Sequence, residues 1–324
     1  MTVTVAPPDR VDPYAVLDGL SRLTTLDAGR IDDTRLVLRA IHGSPATETS
    51  FKSILGLGLL LLAREHGLLA EGQPVIESTS GSLGLGLAAA GRLLGHEIHL
   101  VSDPGIPAVT RRKIELAGGV LHLVPAPHPV LGFQQARDDL LQRLRAENPH
   151  YYWTNQNDSP LNPEVYTRWV VPHLRRTLDF ARIGAGIFCV GSGGHFSALS
   201  AMLRDEGIRS YVADRHGSIT FGGDPAPSIL RGTGNQNRIP AVIDAVRDRV
   251  AGVFQVSDAE ACAGVQELAA RGISVGGSSG VCYMGARQLA AALGPEADGE
   301  ILTFFADRGE LYGTTLLNWG DSSD

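Results

Sequence analysis

Three segments of the chain share one pattern: an apolar run, a turn built almost wholly of glycine and serine, and then a helical periodicity. They are Val75-Ile76-Glu77-Ser78-Thr79-Ser80-Gly81-Ser82-Leu83-Gly84, Ile187-Phe188-Cys189-Val190-Gly191-Ser192-Gly193-Gly194-His195 and Ile273-Ser274-Val275-Gly276-Gly277-Ser278-Ser279-Gly280. A short strand that turns tightly into a helix is the building unit of layered α/β folds, so the pattern excludes most all-α and all-β architectures. Glycine lets the backbone turn sharply and approach a ligand. The helix that follows offers free N–H groups and the positive end of its dipole, so each turn can hold an anion. One such join is weak evidence, because packing alone also favours glycine there. Three of them point to a ligand with more than one anionic group.

The remaining periodicity agrees. Strands are expected over 35–40, 74–77, 97–101, 120–124, 185–190, 209–213 and 301–305, with helices over 53–66, 83–94, 108–117, 132–147, 196–205, 258–271 and 280–293. Tyr151, Tyr152 and Trp153 read as a buried strand, and the first dozen residues and 320–324 as loose ends. The fold class is α/β with mainly parallel sheets. The polar stretch 155–164 is the hinge candidate between two lobes. No solenoid-type repeat is visible.

Charge and composition narrow the functional classes. A net charge of −7 argues against a nucleic-acid partner, and the densest basic cluster is only Arg111-Arg112-Lys113. The start, MTVTVAPPDR, lacks the basic and apolar regions of a signal peptide. The longest apolar stretch, 54–63, falls far short of the roughly 20 residues that span a bilayer. Cys189, Cys262 and Cys282 form no metal or disulfide spacing and suit a reducing compartment, so a cytoplasmic location without membrane attachment is expected.

Rival motifs fail on specifics. Gly276-Gly277-Ser278-Ser279-Gly280 fits a hydrolase nucleophile elbow, but that triad needs a histidine after the serine, and all ten histidines end at His216. A P-loop needs Gly-Lys, which is absent from the sequence, and Gly84-Leu85-Gly86 begins a dinucleotide fingerprint that position 89, an alanine, breaks. No metal site is expected, since neither HExxH nor a convincing ligand cluster occurs.

Of 28 basic residues only two, Lys52 and Lys113, are lysines. Arginine cannot lose its proton near neutral pH and so cannot form a Schiff base. Lys52 stands directly before a very apolar helix, where the dipole disfavours a cation and apolar surroundings favour the neutral, nucleophilic amine. Lys113, in a charged helix, reads as a surface residue.

With that lysine placed, the sequence from about Leu20 to Leu317 resembles the pyridoxal-phosphate enzymes of the cysteine synthase (tryptophan synthase β, fold type II) family. Ser50-Phe51-Lys52 resembles the family's S-[FV]-K, Thr79 to Gly84 its TSGNTG loop, and Gly191 to His195 its G-T-G-G-T turn. Asn155 to Pro163 is similar to QQFSNPANP, and Arg308 to Tyr312 to SGERY. The resemblance implies two three-layer lobes with pyridoxal 5'-phosphate in the cleft between them. It assigns 1–40 and 160–324 to a larger cofactor-binding lobe and 41–159 to a smaller mobile substrate lobe.

It also implies roles. Lys52 would hold the cofactor as an internal aldimine and then remove the substrate's α-proton. Gly191, Ser192, Gly193, Gly194 and His195 would cradle the phosphate, Ser278 would meet the pyridine nitrogen, and Ser82 the 3'-oxygen. Thr79, Ser80, Gly81, Ser82, Leu83, Gln156 and Gly232 would bind the amino-acid substrate. The implied chemistry is elimination from an O-activated serine (O-phosphoserine or O-acetylserine) to an aminoacrylate, followed by addition of a nucleophile. A homodimer is implied as well.

Departures from the family pattern bear on that nucleophile. Ser82 replaces Asn, Leu83 replaces Thr, His195 replaces Thr, Asn157 replaces Phe, Ser53 follows the lysine where Asp or a cation is usual, and Gly232-Thr233-Gly234-Asn235-Gln236-Asn237 is more polar than G-I-G-A-G-F. A polar lining suits an amine better than sulfide. The stretch Gly217 to Gly223, together with Asp307-Arg308-Gly309-Glu310, resembles a branch that joins an amino acid's amine to O-phosphoserine on the way to 2,3-diaminopropionate for siderophores and antibiotics. The alternatives are a sulfide-using cysteine synthase and a cofactor-binding relative without catalysis.

Overall fold

The structure, a computed structural model, describes residues 11–43, 50–312 and 316–318. The expected loose ends 1–10 and 320–324 lie outside the described residues. In chain order the first elements are α1 (Pro13–Ser21), β1 (Thr24–Arg30), β2 (Arg35–His42), α2 (Lys52–Glu65), β3 (Val75–Ser78), α3 (Ser82–Leu94) and β4 (Ile98–Ser102). Then follow α4 (Ala108–Leu116), β5 (Val120–Leu123), α5 (Gly132–Glu147), β6 (Tyr152–Trp153), α6 (Leu161–Val165) and α7 (Val171–Thr177). The last are β7 (Ile183–Cys189), α8 (Gly194–Asp205), β8 (Arg209–Arg215), α9 (Ala241–Asp244), β9 (Val250–Val256), α10 (Asp258–Ala270), α11 (Gly277–Leu293) and β10 (Asp298–Phe305).

Two sheets result. The larger has the order β1-β2-β10-β7-β8-β9 and is parallel except for the β1–β2 pair. Its central strands are buried on both faces, which is why they read as unbroken apolar runs. Neighbouring residues part to opposite layers: Phe188, Val212 and Leu302 join the core shared with α2 and α8, and Ile187, Ala213 and Ile301 join the core of α10 and α11. The smaller sheet, β5-β4-β3-β6, is wholly parallel. Val75 and Leu100 face the main core with α3, and Ile76 and Val101 pack with Leu141 of α5. The protein is therefore a mixed α/β molecule with two layered sheets, as expected.

Several elements differ from the sequence reading. Strands β1 and β9 were not expected: both are half-exposed outer strands, and each carries a glycine (Gly29, Gly252) that weakens the strand signal. Trp153 and its neighbours pair with β3 as a two-residue strand that is only half-buried. Residues 273–275, expected as a strand, join no ladder. The proposed hinge holds Asn155 at φ +45° and then enters a helix interrupted by a π-helical turn, Tyr166–Val170, between α6 and α7. Pro160 and Pro163 hid its start, although each sits at or near a helix start where a missing N–H is tolerated. Among the described residues no helix is long and apolar enough to cross a membrane.

Candidate active site

Strands β3 and β7 end beside each other's following turns, and α3 and α8 leave from those turns, so the cleft lies at the carboxyl ends of parallel strands. Lys52 enters it as the first residue of α2. Helices α2 and α3 cross with glycine against backbone: a Cβ on Gly86 would stand 2.6 Å from the Lys52 carbonyl oxygen, and one on Gly56 would overlap the Gly86 carbonyl carbon. This close approach holds the lysine against the start of α3. The amine lies 5.5 Å from the centre of the Phe51 ring. Burial lowers its pKa, and Asp307, Cys189 and Glu77 pull it partly back. The neutral form is favoured relative to a solvated lysine, as a nucleophile requires.

The first anion turn is shaped by Thr79, whose hydroxyl oxygen accepts N–H bonds from Gly81 (3.0 Å) and Gly84 (3.1 Å). Gly81 has φ +142°, a conformation for which glycine is suited, and no side chain caps α3. The Ser82 hydroxyl donates to Asp307 at 3.0 Å. Gln156 is fixed beside this turn: its N–H donates to Glu77 at 3.0 Å and its side-chain amide to the Ser78 carbonyl at 3.2 Å. Glu77 is buried, which raises its pKa, while Thr154 and the N–H groups of Gln156 and Ser78 stabilise its charge.

The second turn leads into α8. Gly193 has φ +87°, and a Cβ there would lie 2.7 Å from Ile243; at Gly191 it would lie 2.8 Å from the Gly232 carbonyl oxygen. At Gly194 it would overlap the amide of Asn162, a residue that also donates to Ser192 Oγ (3.0 Å) and the Gln156 carbonyl. No side chain caps α8 either. His195 is buried among Phe51, Phe304 and Tyr166, with ring centroids 5.6, 5.4 and 6.3 Å away. Burial, and then the charge of Lys52, push its pKa down to about 3, so it is a neutral ring at working pH. The third turn opens α11, again uncapped, with Ser278 buried at the cavity wall and the Ser279 hydroxyl buried without a partner.

One cavity thus brings together Lys52, the 79–83 turn and Gln156 from one side with Gly191, Ser192, His195, Gly232 and Ser278 from the other. Gly193 and Gly194 stand behind it, where they allow α8 to start close to Ile243 and Asn162. The residues present fit a phosphorylated aldehyde cofactor: an enclosed amine for the aldehyde, an uncapped helix start where added Cβ atoms are excluded for the phosphate, and a neutral hydroxyl at a third helix start.

Three residues escaped the sequence reading. Asp307 lines the cavity, a role that the likeness of Asp307-Arg308-Gly309-Glu310 to a family segment does not imply. Arg231 donates to the Ser80 carbonyl at 3.1 Å and pairs with Asp103 at 3.0 Å, tying the turn after β3 and the end of β4 to the segment before α9. Glu77 is the buried anchor of Gln156. The loop read as a polar lining does line the cavity, through Gly232, Thr233, Gly234, Asn235 and Asn237, and it is also tied to α5: the Gln236 N–H donates to Gln134 (2.7 Å) and Asn237 donates to Asp138 (2.8 Å). Asn235 donates to the Gly191 carbonyl at 3.0 Å.

Comparison with known proteins bears on the same residues. The profile of a family described as pyridoxal-phosphate dependent enzymes matches residues 48–307. The N-(2-amino-2-carboxyethyl)-L-glutamate synthase of Ralstonia nicotianae is 32% identical over 251 residues, covering 76% of this chain and 72% of that protein. Among solved structures, the O-acetylserine dependent cystathionine beta-synthase of Helicobacter pylori superposes with a TM-score of 0.83 at 23% identity, over 97% of this chain and 98% of that one. An O-ureido-L-serine synthase superposes with a TM-score of 0.82 at 23% identity, over 95% and 96%. At these identities the structural matches establish the shared fold.

Proposed function

The chain belongs to the family of pyridoxal-phosphate dependent enzymes, and on that premise we propose that it replaces the β-substituent of an O-activated L-serine, O-phosphoserine or O-acetylserine, with an amine. The observation that carries the reading is the meeting, in one cavity, of the pKa-lowered Lys52 amine with the uncapped start of α3. The cofactor, when bound, supplies an electron sink for the substrate's α-carbon.

The chain's own groups do the rest. Lys52 would hold the cofactor through its amine, and with that amine free and neutral it is placed to take the substrate's α-proton. The Thr79 to Leu83 turn and Gln156 receive the substrate carboxylate, with the backbone N–H groups of α3 supplying the positive end of the dipole. Gly191, Ser192 and the start of α8 hold the cofactor phosphate, with Gly193, Gly194 and the neutral His195 shaping that turn. Ser278 offers a hydroxyl, not a carboxylate, to the pyridine nitrogen, which favours loss of a β-substituent over transamination. Gly232 completes the wall facing Ser80.

The amine preference is supported by the relative whose product name places a glutamate nitrogen on a three-carbon amino-acid unit. By the same likeness, the smaller lobe (41–159) moves against the larger (1–40 and 160–324), and the protein works as a cytoplasmic homodimer. Purified, cofactor-loaded enzyme given O-phosphoserine or O-acetylserine with glutamate should yield a C–N adduct by mass spectrometry. If sulfide gives cysteine while no amine gives an adduct, the amine assignment is wrong. If Lys52→Ala still turns over, the placement of the chemistry is wrong.

A further inference from the structure

Asp307 lies two residues beyond β10, 9% exposed, and gathers three hydroxyl donors on one carboxylate. Ser50 Oγ donates to Oδ1 at 2.5 Å, and Tyr312 OH and Ser82 Oγ donate to Oδ2 at 2.6 and 3.0 Å. Each donor belongs to a different part of the site. Ser50 precedes Lys52 and accepts the Lys52 N–H at 3.1 Å; Ser82 begins α3; Tyr312 packs its ring over Gly276 at the start of the Ser278 turn. The backbone makes the same junction, with Ser50 and Asp307 paired as an antiparallel bridge and the Gly276 N–H donating to the Asp307 carbonyl at 3.0 Å. A group that accepts three hydroxyl hydrogens acts as an acceptor only, the role of a carboxylate.

We propose that Asp307 is a positioning residue for the reaction, fixing the Lys52 segment against the start of α3 and providing the negative charge beside which Lys52 can hold the proton it takes from the substrate. The inference rests on the reading of Lys52 as the base. In that step the lone pair of Lys52 Nζ forms the new N–H bond, the electrons of the α C–H bond stay with the substrate, and the resulting ammonium is left in an enclosed cavity. Three groups favour the charged form there, Asp307, Cys189 of β7 and Glu77 of β3, and burial opposes it. His195 of α8 is neutral, and Arg231, which also lines the cavity, is bonded to Ser80 and Asp103. Of the favourable influences, Asp307 is the largest. Burial raises the pKa of both the Cys189 thiol and the Glu77 carboxyl and so disfavours their charged forms, whereas Asp307 is bonded to the Lys52 segment through Ser50 and to the start of α3 through Ser82.

The test separates charge from architecture. Full-length protein stripped of cofactor is titrated with pyridoxal phosphate across a pH series, and covalent capture at residue 52 is read by borohydride reduction and mass spectrometry. Capture needs the neutral amine. Asp307→Asn keeps the shape and removes the charge, so its capture midpoint should move toward acid by roughly one to three pH units. Tyr312→Phe removes one hydroxyl from the carboxylate and exposes more of its charge to Lys52, so its midpoint should move toward alkali. In the loaded enzyme, Asp307→Asn should lower the rate of the first half-reaction about tenfold or more, while the KM for the O-activated serine changes little.

A purely structural role would reduce stability and rate without moving either midpoint. Midpoints that coincide with the parent's, or that move in the same direction in both variants, overturn the proposal. Should Asp307→Asn fail to fold, the alkaline shift of Tyr312→Phe decides alone. If both midpoints shift as stated but no O-activated serine reacts, the functional reading fails and the role of Asp307 toward Lys52 stands.

Discussion

Replacing Gly86 by alanine tests whether the crossing of α2 and α3 sets the position of the reactive lysine. The added Cβ would stand 2.6 Å from the Lys52 carbonyl oxygen and 3.0 Å from the Ser53 Cα, both backbone atoms that no rotamer change can move aside. Restoring an ordinary carbon–oxygen approach of about 3.4 Å requires the helices to part by roughly 0.8 Å. Alanine gains about 1 kcal/mol over glycine inside a helix, and overpacking costs about 1–3 kcal/mol, so net stability should fall by at most about 2 kcal/mol. The displacement acts directly on Lys52 relative to the α3 turn. A misplacement near 1 Å can lower a rate by about 100-fold, so kcat/KM with O-phosphoserine should fall roughly 30- to 100-fold. Thermal melting should shift by no more than about 6 °C. Gly19→Ala in α1, where nothing lies within 4 Å of the new Cβ, is the control: it should be slightly more stable and fully active. The reasoning is refuted if Gly86→Ala keeps more than half of the parent's kcat/KM.

Other perturbations probe the supporting groups. Glu77→Gln turns one acceptor of the Thr154 and Gln156 cluster into a donor facing donors, so it should destabilise by about 1–3 kcal/mol in urea unfolding and raise the KM for the serine substrate more than it lowers kcat. Arg231→Ala removes the link from Ser80 and Asp103 to the segment before α9, yet Asp103 keeps its pair with Arg137; a higher KM with a modest fall in melting temperature is expected, and an unchanged KM would dissociate that link from substrate binding. His195 has a folded pKa depressed to about 3, below its unfolded value of 6.5, so the unfolded chain binds the extra proton as pH falls. Its contribution is thus constant above 6.5 and is lost downward toward 3 at about 1.4 kcal/mol per pH unit. Unfolding at pH 6.5 and 5 should show the parent losing about 2 kcal/mol more than His195→Thr.

Much of the architecture was legible because parallel strands buried on both faces leave continuous apolar runs, as in β7 and β8, and because α3, α8 and α11 each begin in a glycine–serine turn. The outer strands β1 and β9 were not legible, since a half-exposed edge carries little periodicity and each is further diluted by a glycine. At the site, Lys52 and the turns announce themselves by residue type. Asp307, Arg231 and Glu77 do not. Each is an ordinary charged residue until the fold encloses it, and each acts on residues far away in sequence: Asp307 on Ser50 and Ser82, Arg231 on Ser80 and Asp103, Glu77 on Thr154 and Gln156. The polarity of Gln236 and Asn237 was legible as composition, but their bonds to α5, made while Asn237 also lines the cavity, depend on contacts far apart in sequence.

The glycine content has a physical explanation that joins these levels. The chain holds 39 glycines in 324 residues, about 12%, against about 7% in average proteins. Several stand inside helices, where each costs about 1 kcal/mol relative to alanine, so propensity alone would remove them. Those in α2 and α3 are not scattered: an added Cβ would meet the Gly86 backbone at Gly56, Val165 of α6 at Gly58 (2.6 Å), Thr79 at Gly84 (2.7 Å) and the Lys52 carbonyl at Gly86. Those of Gly56, Gly84 and Gly86 bear on the lysine or on the turn facing it. A weaker helix is tolerated where it lets backbone approach backbone, and the very apolar α2 recovers the loss through its buried leucines. The amine's reactivity therefore depends on atoms absent from its neighbours as much as on the groups present, and alanine substitutions at Gly56, Gly84 and Gly86 should lower activity far more than stability, unlike the same change at Gly19.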